Sequence, residues 1–171
     1  GSLDTTFTPV ISSGAVYSAA QTADGKYIVG GAFSGVDGFN RSNLVRLNSN
    51  GSIDQTFNAG SISSIDKVYS VASDKVICLA GAGGASAILR RNGDGTADAT
   101  FTPAEFVSSD LRLNAISIQS DGSILVGGNF TSVTKIRGPL AALVGYLPVS
   151  DTASVYGKFG FVWARNKYET G

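Results

Sequence analysis

Hydrophobic and polar positions alternate along this chain in short runs that end at Gly, Asn, Asp or Ser. Residues 15–21 predict a strand, Ala23-Asp24-Gly25-Lys26 a tight turn, and residues 27–33 the returning strand. The Asp-Gly pair predicts a type I′ hairpin, in which both central residues need positive φ. Asn43-Leu44-Val45-Arg46-Leu47 predicts a third strand, Asn50-Gly51 the next turn, and residues 52–57 a fourth extended segment. No long stretch has the apolar period of a helix.

The pattern recurs. Gly1-Ser2-Leu3-Asp4-Thr5-Thr6-Phe7 returns as Gly51-Ser52-Ile53-Asp54-Gln55-Thr56-Phe57 and as Gly95-Thr96-Ala97-Asp98-Ala99-Thr100-Phe101, at intervals of roughly 50 and 44 residues. Leu113-Asn114-Ala115-Ile116-Ser117-Ile118, Asp121-Gly122 and Ile124-Leu125-Val126-Gly127-Gly128-Asn129-Phe130 repeat the strand–turn–strand order. The second copy is worn: Val68-Tyr69-Ser70-Val71-Ala72 meets Asp74-Lys75 without a turn glycine. Four strands in each unit of about 40–50 residues is the signature of a β-propeller blade. The expected fold is therefore all-β, with three four-stranded antiparallel propeller-like blades at about 1–50, 51–94 and 95–147. A C-terminal β arm follows at 148–171. Gly30, Gly31, Gly127 and Gly128 are expected where backbones approach closely or bulge. Phe7, Phe57 and Phe101 are expected to pack between blades.

Composition narrows the chemistry. Hydrophobic residues make up 43% and charged residues 15%, with 13 basic and 13 acidic side chains and no net charge. No basic excess points to nucleic acid. The absence of His removes His-based catalysis and His metal ligands, and a lone cysteine, Cys78, excludes an intrachain disulfide and a multi-cysteine zinc site. Cys78 lies in an apolar run and reads as a buried, inert thiol. No helix-length apolar stretch predicts a membrane span. Asp4, Asp54 and Asp98 share one motif position and read as turn caps rather than cation ligands. Residues 92–98 lack the ligand spacing of a calcium loop, and the glycines at 81–84 precede no phosphate-binding Gly-Lys-Ser/Thr. No cofactor or metal is expected. Glu105, Asp110 and Asp121 form no recognisable acid–base pair, so no enzyme activity is expected.

The blocks at 24–33 and 47–57 resemble the delta-60 repeat family, β-propeller-type repeats of bacterial surface or secreted proteins and phage structural proteins. The resemblance covers residues 1 to about 135. It implies a non-enzymatic structural role in an extracellular assembly, a phage virion (tail, baseplate or decoration) ahead of a bacterial surface structure. It transfers no active site. Three blades are fewer than typical closed rings contain, so a homo-oligomer or other assembly proteins are expected to cover the remaining faces.

Residues 154–165 alternate aromatic with small or charged positions and are weakly similar to a strand of OmpA-like barrels. Two strands cannot close a barrel. The reading is a docking arm, with Phe159, Phe161 and Trp163 as inter-subunit contacts. A rival is a glycan- or peptide-binding adhesin module using Tyr17, Tyr27, Phe39 and Tyr69.

Overall fold

The computed structural model describes residues 1–2, 4–71, 74–81, 87–107, 112–118, 124–129, 132–137, 142–150 and 153–159. All regular elements among them are strands. They fall into two compact units, Gly1–Phe101 and Thr102–Gly171.

In the first unit, β1 (Gly14–Gln21), β2 (Tyr27–Phe33) and β3 (Leu44–Leu47) form one antiparallel sheet in chain order. A second sheet is built the same way from β4 (Ile65–Val71), β5 (Lys75–Ala80) and β6 (Ala87–Arg91). Alternation sends Ile28 and Leu44 to one face of the first sheet. There they join Phe57, Ile65, Val68, Val76 and Cys78 in a single core between the sheets. Gly30 makes this approach possible, because a Cβ built there would lie 2.6 Å from Ile65 Cγ2 and 2.7 Å from Val68 Cγ1. The other face of the first sheet carries Val29, Val45 and Leu47, packed by Phe7 and Ile11.

The expected fourth strand is reduced to a single bridge, Leu47 to Ile53 in the first repeat and Arg91 to Ala97 in the second. Pairing stops because the following aspartate turns the chain: the Phe57 N–H donates to the Asp54 carbonyl, and the Phe101 N–H to the Asp98 carbonyl. These sheets thus have three strands, not four.

The Asp24-Gly25 turn also differs from expectation. Only Gly25 has positive φ, and its N–H donates to the Thr22 carbonyl while the Thr22 N–H donates to that of Lys26. This is the pattern of a type I turn closed by a left-handed glycine bulge. It returns at Gly51 and Gly95.

In the second unit, β7 (Thr102–Val107) pairs with β10 (Ser132–Arg137). Separately, β8 (Arg112–Ile118), β9 (Ile124–Asn129), β11 (Ala142–Ser150) and β12 (Ala153–Phe159) form a sheet in the order β12-β11-β9-β8. The β8–β9 hairpin matches the first two repeats, with a bulge between Leu113 and Ala115 like those between Val16 and Ser18 and between Ile65 and Lys67. The third strand expected at residues 141–146 falls in β11, which runs parallel to β9 and not antiparallel. The extra strand β10 lies between them in sequence and supplies the long crossover that a parallel pair requires. Gly127 and Gly128 face Val144 and Gly145 across this parallel pair. The expected arm begins inside β11, and β12 completes a hairpin with it, Phe159 opposite Leu143. Phe161 and Trp163 lie outside the described residues.

Candidate functional site

The repeated heptad builds a latch. In each copy the aspartate Oδ1 accepts two hydrogen bonds from the threonine two residues on. For Asp54 they come from the Thr56 N–H at 3.0 Å and hydroxyl at 2.6 Å, and for Asp98 from Thr100 at 2.9 and 2.6 Å. Asp4 binds Thr6 in the same way, at 2.9 and 2.7 Å. That local cap explains the residue types Asp and Thr at this spacing.

The second carboxylate oxygen separates the copies. Asp54 Oδ2 receives Lys26 Nζ at 2.9 Å and Arg46 Nε at 2.8 Å. Asp98 Oδ2 receives Lys75 Nζ at 2.8 Å and Arg90 Nε at 2.7 Å. Each arginine also donates to the motif threonine at 3.2 Å and stacks over the motif phenylalanine, Arg46 at 5.2 Å from the Phe57 centroid and Arg90 at 4.7 Å from that of Phe101. Arg46 (5% exposed) and Asp54 (5%) are both buried, so their mutual geometry must offset the cost of desolvation. Among the described residues no cation comes within ion-pair distance of Asp4, which is exposed.

Burial raises the Asp54 carboxyl, but the Thr56 hydroxyl, Lys26, the Thr56 N–H and Arg46 together hold it well below the usual carboxylate range. Lys75, ahead of the Thr100 contacts and Arg90, does the same for Asp98. Asp54 in turn raises Lys26. These shifts favour the charged form of all three groups, carboxylate for Asp54 and Asp98 and ammonium for Lys26. Burial pushes the Cys78 thiol up to about 12. Among the described residues no group of three or more His, Cys, Asp or Glu is placed to hold a metal. No helix among them is long and apolar enough to cross a membrane.

Of the motif residues, Phe57 is fully buried between the sheets and Phe7 sits half-buried against Tyr27, ring centroids 5.3 Å apart. Gly31 abuts the β1 bulge, where a Cβ would lie 2.1 Å from the Ala15 carbonyl oxygen. Tyr17 and Phe39 are exposed and Tyr69 is half-buried. Glu105 falls in β7, and Asp110 and Asp121 lie outside the described residues.

Sequence reasoning missed the lysines and arginines that complete the latch. The signal was present: each arginine stands eight residues before its aspartate.

Residues 22–57 and 119–137, about a third of the chain, match the family described as "Domain of unknown function (DUF5122) beta-propeller". The first segment contains Lys26, Arg46, Asp54 and Phe57. With the small antiparallel sheets, this similarity supports a propeller-like repeat family. No curated protein and no solved structure matches the chain.

Proposed function

We propose that this chain is a non-enzymatic structural component of an extracellular assembly, a phage virion ahead of a bacterial surface structure, acting by packing sheet faces and edges against neighbours. The observation that carries the reading is the repeated latch. Its charged groups, Lys26, Arg46 and Asp54, are engaged in ion pairs, and Arg46 reaches on to Asp74 in the turn before the second sheet's middle strand, which suits mechanical continuity from one sheet to the next. The extracellular setting and the delta-60 relationship rest on the resemblance of the repeats.

Light scattering on the purified protein tests the reading. A defined oligomer, or a complex with other assembly proteins, is expected; a 17.5 kDa particle that stays monomeric at high concentration and binds no partner contradicts it. The exposure of Tyr17 and Phe39 favours one second reading, a glycan- or peptide-binding adhesin module. Binding on a glycan array that is lost in Tyr17→Ala supports that alternative.

A further inference from the structure

The two sheets of the first unit provide an internal template for a docking surface. The strand registers make Val16 of the first sheet equivalent to Ile65 of the second: Val16 lies opposite Gly31, and Ile65 opposite Ala80. They likewise make Ala19 equivalent to Val68, through Val29 and Cys78. On the second sheet this surface is covered by the first sheet, and Ile65 is 0% exposed. On the first sheet Val16 is 45% exposed and Val10 64%, Ala19 is exposed, and Phe7 is only half-buried.

The charges follow the same division. Asp54 and Asp98 each hold one Lys and one Arg, both from the sheet that precedes the motif, whereas among the described residues Asp4 has its Thr6 cap and no cation.

Resting on the reading of this chain as an interaction component, we propose that the outer face of the first sheet, centred on Asp4, Phe7, Val10 and Val16, binds another β-sheet repeat of the same design. That partner presents a lysine at the start of its middle strand and an arginine on its third strand. The lysine and arginine would close on Asp4, the arginine would stack on Phe7, and the apolar surface would cover Val16 as Ile28 and Leu44 cover the second sheet. The third repeat of a second copy does not meet this description. After Asp121-Gly122 it has Ser123 where the first repeat has Lys26 after Asp24-Gly25.

The test appends a copy of residues 1–50 directly before Gly1 of the full chain, which recreates the Asn50-Gly51 junction as Asn50-Gly1. A thiol introduced by Val16→Cys in the original copy reports cover through its alkylation rate, against buried Cys78 as internal reference. In the 171-residue chain this thiol is expected to react at the rate of an exposed group. In the extended chain it should slow by roughly tenfold or more. The protection should be lost when the appended copy carries Lys26→Ser with Arg46→Ala, or when the original copy carries Asp4→Asn. The urea midpoint of the original repeats should rise on extension and fall back with those variants.

An unchanged alkylation rate in a folded extended chain overturns the proposal, while self-association of the 171-residue chain would leave the interaction reading standing on another face. Protection indifferent to the Lys26, Arg46 and Asp4 substitutions overturns the charge-specific pairing. Concentration-dependent protection in the unextended chain overturns it in favour of a second copy.

Discussion

Asp4 and Asp54 sit in the same heptad, accept the same two hydrogen bonds from a threonine, and end in opposite environments. Asp54 is buried under Lys26 and Arg46 with Phe57 fully enclosed beside it; Asp4 faces solvent and Phe7 is half-covered. The local turn therefore belongs to the heptad itself, because four residues suffice to form it. Burial and ion pairing belong to the neighbour, because they require a preceding sheet with its two cations. A repeat of this kind is half a joint.

The two environments differ most in their apolar part. Ile65→Ala removes a fully buried side chain from the core between the sheets and is expected to cost about 3 kcal/mol. Val16→Ala, at the equivalent exposed position, should stay within about 0.5 kcal/mol. Urea unfolding of the two variants decides it, and equal losses would mean that the equivalence is false.

Gly30→Ala sharpens the same contrast by overfilling. The new methyl meets Ile65 and Val68 below contact distance, so a loss of about 1–3 kcal/mol is expected in thermal or urea unfolding. Ala19→Val enlarges a residue on the other, exposed side of that sheet and should be close to neutral.

Acid provides a gentler probe. The Asp54 carboxyl lies below its ordinary value of 3.8 in the folded chain, so its contribution is complete above that value and is lost as pH falls towards the folded one. The urea midpoint should hold near neutral pH and decline below about pH 4. Asp54→Asn should lower the plateau and flatten the acid limb. Asp4→Asn should change the limb much less, although its Thr6 hydrogen bonds also lower its carboxyl. The smallest effect concerns Cys78, which should resist alkylation at pH 8 in the folded protein and react on unfolding, because its thiol is buried and raised to about 12.

Strand positions and the period of the repeats were legible because alternation and turn residues act over a few neighbours. Residues 27–33 emerged as β2 for that reason. The latch was harder to read because its cations lie far along the chain from the heptad, Lys26 just before β2 and Arg46 on β3, and register brings them to Asp54. Val68-Tyr69-Ser70 imitates Val16-Tyr17-Ser18 in sequence, yet pairing sets Ile65 in the place of Val16, because the second triplet stands nearer in sequence to the strand it pairs with. The parallel entry of β11 was invisible for a related reason: residues 132–137 alternate like any strand, and their use as a crossover depends on pairing with distant β7. The turn at Asp24-Gly25 was misread by dipeptide alone, since its bulge form is fixed by bonds from Thr22.

The heptad becomes a joint only when a Lys–Arg pair from the preceding sheet closes on its aspartate. The most direct measurement is the unfolding free energy of Asp54→Ala beside Asp4→Ala in the same chain. Asp54→Ala leaves buried Arg46 without its main partner and should lose about 3 kcal/mol, and Asp4→Ala should lose far less, because only an exposed turn cap is removed. Losses of the same size would contradict the claim.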